Sequence, residues 1–398
     1  MRIGIMTDLY KPYVSGITNY ISLNKQYLEQ AGHEVYIFAF GDLEYQDEDT
    51  KVIRSPGLPL VDTGYFLNFR YSRKAKALLQ TMDLVHVHHP FLSGRLALNY
   101  CRPLHIPVVF TNHTRYDLYA EAYMPLLPEE ISASLLRSYL PPFCSAVDLV
   151  VSPSTGMVDV LRKLGVTCPI EVVPNGVELD RYLQECEDCR PDFGFTPKEL
   201  LLIYSGRLGP EKNLDFLLRA FAGVAEAVEE VHLLIIGSGP EEEDLKKLAA
   251  EIGIANRVHF FGMVAYESMP LYLAMSDVFV TASVTEVHPL SVIEAMASGL
   301  PALGIHSVGV GDTIEDGITG YLASQNQAAF AAKLTRLCID RDLRLKMGLE
   351  ARKASNKYAI EQSMQIMLAH YEHLVFAALP RKRSLSSRIR SMVERFRA

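Results

Sequence analysis

Short apolar runs separated by helical patterns, a polar interruption over residues 184–198 and a second set of such runs after it predict an α/β chain of two parallel-sheet domains. A strand covered on both faces needs no polar alternation, so it reads as an unbroken stretch of Val, Ile and Leu. At 398 residues the chain is long enough for each domain to bury a core of its own.

The first set opens with Ile3-Gly4-Ile5-Met6, followed by a loop from Asp8 to Ser15 and a helix from about Gly16. Val35 to Phe40, Leu84 to Val87, Val108 to Thr111, Leu149 to Ser152 and Ile170 to Val173 continue it. Asn175-Gly176 reads as a tight turn closing the domain. The stretch QECEDCRPDFGFTPK is polar, carries Pro and Gly, and reads as a linker. Leu201 to Tyr204, Leu233 to Ile236, Val258 to Phe261, Val278 to Val280 and Ala302 to Ile305 supply the second sheet. The expected division is therefore residues 1–183, a linker at 184–198 and a second domain at 199–355. Helices from about 356–398 return to complete the first domain, Asn356 to Leu379 packing against it. Open parallel sheets bind ligands beyond the carboxyl ends of their strands, so the expected site is a cleft between the domains.

A net charge of −8 and a pI of about 5.9 argue against nucleic acid as a main partner. Six scattered cysteines form no disulfide framework and suit a reducing cytoplasm. Cys186 and Cys189 are a lone C-x2-C with no second pair to complete a zinc site. MRIGIMTDLY reads as a strand rather than a signal peptide, and no run of 18 apolar residues offers a membrane span. The basic segments Arg70-Lys76 and Arg381-Arg397 stand against the acidic background. In the second, Leu385, Ile389, Val393 and Phe396 recur at helical spacing among the arginines. Such a basic amphipathic helix reads as an anchor on an anionic membrane surface. The expected location is peripheral, on the cytoplasmic face of the membrane.

Within the second domain, Val278-Phe279-Val280 is a buried strand, Thr281 to His288 a loop, and Pro289 the first position of a helix through Leu290, Ile293, Glu294 and Met296. That helix start presents free N–H groups and the positive end of a dipole to an anion. Two carboxylates bracket it, Glu286 and Glu294. Upstream, Arg207 and Lys212 stand between a strand and a helix, where a forked guanidinium and a mobile ammonium suit a diphosphate. A surface ion pair with Glu211 is the plainer alternative for these cations. The D-x-D at Asp47-Glu48-Asp49 lies in an acidic, surface-like run, so no catalytic metal is expected. Gly237-Ser238-Gly239 is half of a G-x-G-x-x-G, gives no support for a nicotinamide or flavin, and reads as a turn that lets the next helix pack.

In the first domain, Ser15-Gly16 follows the first strand, and one glycine there admits close approach by a phosphate or sugar. His113 stands at the end of the strand Val108 to Thr111, where an imidazole can orient a hydroxyl near neutral pH. A satisfied core histidine is the plainer reading. His86, His88 and His89 alternate along another strand and read as its cap, not as a metal set. Tyr116, Tyr119 and Tyr123 share one helical face, which fits core packing as well as a substrate channel.

The E-x7-E of Glu286 and Glu294 on a strand–loop–helix frame, G-R-x(4)-K-N at 206–213 and P-N-G-V at 174–177 resemble retaining nucleotide-sugar glycosyltransferases of family 4. The resemblance implies the GT-B fold, two Rossmann-like domains facing a central cleft. It implies that Arg207, Lys212 and the helix start at His288, Pro289 and Leu290 hold the donor diphosphate, while Glu294 binds the ribose. Met263 then lies by the base, Gly16 by the donor, and Glu286 and His113 act on the sugar. Two departures are visible. Val287-His288-Pro289 replaces the usual Gly-Phe-Gly, which bears on the sugar pocket more than on the ribose site, and Ser15-Gly16 replaces Gly-Gly. The block H-T-R-Y-D-L-Y-x-x-x-Y from His113 is similar to the branch that glucosylates diacylglycerol, making Arg115, Tyr116 and Tyr119 acceptor-binding. The implied activity moves a hexose, glucose first, from a UDP-sugar to a membrane lipid hydroxyl without a cofactor. A soluble sugar or polyol acceptor and a sugar-nucleotide epimerase of the same fold are the alternatives.

Overall fold

The computed structural model describes residues 1–13, 15–41, 45–47, 49–59, 66–118, 129–183 and 190–382. It resolves into two compact units. One comprises residues 1–113, 127–176 and 361–398, the other residues 114–126 and 177–360. Apart from residues 114–126, the chain passes from the first unit to the second at Gly176-Val177, just after the Asn175-Gly176 turn and before the expected domain end at 183, and returns at Ile360-Glu361.

The first unit carries β1 (Arg2–Met6), β2 (Glu34–Gly41), β3 (Val52–Pro56), the short antiparallel pair β4 (Leu58–Pro59) and β5 (Phe66–Leu67), then β6 (Leu84–Val87), β7 (Val108–Thr111), β8 (Leu149–Ser152) and β9 (Ile170–Val172). Seven of these form a parallel sheet in the order β3-β2-β1-β6-β7-β8-β9. The central strands are the predicted apolar runs, and Ile3, Ile5, Val85, Val87 and Val108 to Phe110 are fully or almost fully buried. β3 escaped prediction because it is an edge strand, only partly buried, and its VIRSP mixes polar residues with a proline. The helix Ile360–Lys382 belongs to this unit and is pinned to it by Tyr371, whose hydroxyl meets His86 Nδ1 at 2.6 Å.

The second unit contains β10 (Leu200–Ser205), β11 (Val231–Ile236), β12 (Val258–Gly262), β13 (Val278–Thr281), β14 (Ala302–Ile305) and β15 (Gly320–Ala323). They form a parallel sheet in the order β12-β11-β10-β13-β14-β15. Alternate residues of β10 feed opposite layers: Leu200, Leu202 and Tyr204 join one apolar cluster, Leu201 and Ile203 the other. β15 was not predicted. It begins at Gly320, where a Cβ would sit 1.9 Å from the Ala302 carbonyl oxygen, so the residue that lets the strand approach also hides it. Of the expected linker, residues 184–189 lie outside the described residues, and with them the Cys186/Cys189 pair. Residues 190–198 run beside the second sheet, where the Arg190 guanidinium bonds Asp277 at 3.0 Å.

Candidate functional site

The loop after β10 is stitched to its neighbours on both sides. Gly206 donates its N–H to Ile236 O (3.0 Å), Leu208 to Ser238 O (2.9 Å), and Glu241 to Leu208 O (3.1 Å). The Gly237-Ser238-Gly239 turn is therefore more than a packing allowance for the next helix. It is the cradle in which the Arg207 loop lies. A Cβ on Gly239 would fall 2.3 Å from Leu208 O, and one on Gly237 2.0 Å from Gly206 O. On the other side Asn213, held at φ 55°, donates to Ala282 O (3.3 Å), and Thr285 Oγ1 donates to Glu211 O (3.3 Å). These bonds bring the β10 and β13 loops together at the carboxyl edge of the sheet.

The result is an ion pair between Lys212 Nζ and Glu286 Oε1 at 2.5 Å, both side chains about one-fifth exposed. Burial alone would raise the Glu286 carboxyl, but the Lys212 ammonium and the Ser283 hydroxyl outweigh it and hold it below its ordinary value. The alternative pairing with Glu211 survives only for Arg207, at a loose 3.8 Å, with Arg207 one-third exposed. Lys212 has gone to the other carboxylate.

The helix runs Leu290–Ala297, starting one residue later than expected, with Pro289 as its N-cap rather than its first residue, and the Pro289 carbonyl accepts from Ile293 N (3.3 Å). Its fixed φ serves the cap as well as it would the first helical residue. Ahead of it the Glu286-Val287 backbone rests on Gly309, whose N–H donates to Glu286 O at 3.0 Å. A Cβ there would lie 2.4 to 2.6 Å from the Glu286 and Val287 backbone. His288 is buried with its ring edge to Tyr358 (4.9 Å between centroids), and burial pushes it down to about 3, so it is neutral. Leu290 is partly buried, whereas Met263 beyond β12 is 60% exposed.

Glu294 is buried on the same helix. Burial lifts its carboxyl to about 7, against the opposing hydroxyls of Tyr266 and Tyr182 that face it. Tyr182 stands in the helix Asp180–Leu183 and Tyr266 in the turn after β12. The arrangement can accept hydrogen bonds from a diol once the carboxyl is ionised.

In the first unit, Ser15 caps the helix Gly16–Gln30 in a capping box with Thr18. A Cβ at Gly16 would meet nothing within 4 Å, so the open space beside its backbone can admit a ligand. His113 follows β7 and bonds through Nε2 to His88 Nδ1 at 2.9 Å. Burial, with neighbouring histidines, holds both rings well below their ordinary range. His86 bridges Tyr371 and Thr111 (2.7 Å), and His89 meets Thr7 Oγ1 and Asp8 N, each at 3.2 Å. The three histidines thus bond different partners, His86 and His88 also packing ring against ring at 4.2 Å. Asp47 and Asp49 of the D-x-D are engaged by Arg54 (2.6 Å) and Lys25 (2.5 Å).

Among the residues expected to meet an acceptor, Arg115 pairs with Asp117 at 2.8 Å, and Tyr116 is partly buried. Tyr119 and Tyr123 lie outside the described residues, as does the tail from 383 onward. Arg70, Arg73 and Lys74 are exposed beside Phe69, which is 69% exposed, while Lys76 sits over the Tyr100 ring at 5.3 Å. No helix among the described residues is long and apolar enough to cross a membrane.

Sequence-based expectation missed Gly309, Tyr182 and Tyr266. Gly309 had a signal in its Gly-rich segment Val308 to Gly311, but its partner loop lies more than twenty residues away. The tyrosines had none, because nothing local ties them to Glu294.

The family model described as "Glycosyl transferases group 1" matches residues 187–354, and that described as "Glycosyltransferase Family 4" matches residues 14–181. The chain is 33% identical to an "Alpha-monoglucosyldiacylglycerol synthase" of Streptococcus pneumoniae over 339 residues, 81% of this chain and 75% of that one. A protein of the same description from Acholeplasma laidlawii is 28% identical over 82% of this chain and 86% of its own. Among solved structures, sucrose-phosphate synthase from Thermosynechococcus elongatus superposes with a TM-score of 0.78 at 20% identity, covering 94% of this chain and 99% of that one. Anabaena Alr3699/HepE in complex with UDP-glucose gives 0.75 at 18% identity, covering 93% and 99%.

Proposed function

The chain belongs to glycosyltransferase family 4, with its GT-B fold, and from that premise we propose that it moves glucose from UDP-glucose to the hydroxyl of diacylglycerol at a membrane surface. The observation that carries this reading is the Lys212–Glu286 pair, set between the Arg207 loop and the helix capped by Pro289. Cations, a helix start and a sugar-facing carboxylate meet there at the carboxyl edge of one sheet. The acceptor rests on the two monoglucosyldiacylglycerol synthases, similar over four-fifths of the chain.

In this reading Arg207, Lys212 and the N–H groups of His288 and Leu290, set by the fixed geometry of Pro289 between them, hold the diphosphate. Fixed cations aimed at the leaving oxygen stabilise the charge that grows there without reorganising. Glu294 accepts from the ribose hydroxyls, Met263 borders the base, and Gly16 gives the donor room. Glu286 and His113 orient the sugar; Arg115, Tyr116 and Tyr119 meet the acceptor. The C1–phosphate bond breaks as the acceptor oxygen bonds C1 from the same face. The acceptor's proton passes to the departing phosphate oxygen, leaving UDP and a retained glycoside. Arg70, Arg73 and Lys74, with the tail Arg381-Arg397, hold the protein on anionic lipid at the cytoplasmic face.

The test is incubation of the purified full chain with UDP-[14C]glucose and diacylglycerol in anionic vesicles, without added divalent cations. A chloroform-soluble α-glucoside, identified by its anomeric proton coupling, is expected. Label appearing only in water-soluble glycosides, or an epimerised nucleotide sugar without acceptor, overturns the reading.

A further inference from the structure

The role proposed for His113 raises the question of what holds its ring. His88 lies just past the end of β6, in register beside β7, so that His88 and His113 emerge from neighbouring strands. Their rings are 5.1 Å apart between centroids, tilted by 30°, with Nδ1 of one 2.9 Å from Nε2 of the other. Tyr20 meets both rings edge-on, at 5.7 Å and 4.8 Å. His86 lies against His88 at 4.2 Å and is itself fixed through both nitrogens, by Tyr371 (2.6 Å) and Thr111 (2.7 Å). His88 is only 1% exposed. It has no room to turn.

We infer that His88 is a positioning residue, which sets both the orientation and the tautomer of His113. This rests on the reading of His113 given above. A bond between two neutral imidazoles needs one N–H and one lone pair, so the proton on His88 decides which His113 nitrogen carries its own. With Nε2 taken, Nδ1 is the nitrogen left to meet a hydroxyl. Burial keeps both rings neutral, so each holds a single proton and the pair has just two arrangements. A ring free to rotate or to mix tautomers would present the right group only part of the time.

The experiment compares His88→Leu, His88→Asn and His88→Gln in the full chain. Asn places its amide near the position of Nδ1, whereas Gln carries it one bond too far. Histidine-selective 15N spectra, with His113→Gln to assign the signals, read the tautomer directly. The expected result is one His113 tautomer in wild type and His88→Asn and a mixture in His88→Leu. The kcat should fall about tenfold or more for Leu and Gln, largely recover for Asn, and leave the Kd for UDP unchanged. Wild-type kcat in His88→Leu, unchanged His113 shifts, or equal loss in Asn and Gln overturns the inference. A fully active His113→Ala variant would instead sink the role of His113, while the spectra still judge the coupling of the two rings.

Discussion

Lys212 Nζ and Glu286 Oε1 lie 2.5 Å apart although 74 residues separate them in the chain. The cation expected on a diphosphate and the carboxylate expected on a sugar thus neutralise each other. Lys212 is what keeps Glu286 charged despite its burial. In the proposed reading, donor binding shares Lys212 between Glu286 and phosphate.

Removing one partner affects binding and turnover differently. Lys212→Ala leaves Glu286 without its cation, so its carboxyl rises and the diphosphate loses a contact. The kcat/KM for UDP-glucose should drop by about 10²–10³, with weaker UDP binding. Glu286→Gln frees Lys212 for phosphate. UDP should bind as tightly as to wild type or tighter by calorimetry, while kcat falls about 10² or more. Equal loss of UDP affinity in both variants would contradict the sharing of Lys212.

Gly309 and Gly239 predict a loop effect. Alanine at 309 would press within 2.6 Å of the Glu286 and Val287 backbone, and at 239 within 2.3 Å of Leu208 O. Neither neighbour is a flexible side chain, so the Glu286 loop or the Arg207 loop must move. Each variant should lose about tenfold or more in kcat/KM, with a fall in Tm of several degrees. Alanine at Gly223, where a Cβ meets nothing, serves as the neutral control.

The buried carboxyl of Glu294 predicts a pH dependence. Its folded value of about 7 lies above the unfolded value near 4.3, so the folded state holds the proton more tightly. Stability contributed by this group is complete below about pH 4 and declines as pH rises towards 7. Glu294→Gln should therefore match wild type near pH 4 and exceed it at pH 8, by up to about 4 kcal/mol in urea unfolding. Affinity for UDP should rise with pH through about 7 in wild type, as the carboxylate forms to accept the ribose hydroxyls. It should be weak and flat in Glu294→Gln.

The exposed cations of the first unit predict salt-sensitive lipid binding. Reversing Arg70, Arg73 and Lys74 to Glu should weaken partitioning onto anionic vesicles by at least about 10²-fold, each basic residue being worth about 1 kcal/mol. Sedimentation with neutral vesicles should show no such change. Turnover of a dispersed short-chain diacylglycerol should survive. Truncation at Pro380 tests the basic tail in the same assay.

Local chemistry determined much of this protein. Continuous apolar runs marked the central strands because a strand buried on both faces is mostly apolar and keeps a polar residue only where it is bonded, as His86 is to Tyr371 and Thr111, and β6, β7, β8 and β14 begin and end where those runs do. The edge strand β3 and the glycine-led β15 lack such runs and were not legible. The spacing of Glu286, Pro289 and Glu294 was visible because one strand–loop–helix unit holds all three. Only the tertiary structure decided which charges meet. Lys212 chose Glu286 over its neighbour Glu211, Gly309 came to support the Glu286 loop, and two tyrosines from separate segments faced Glu294. Those outcomes depend on parallel strands setting distant loops side by side at one sheet edge, and no residue records locally which loop its neighbour will be.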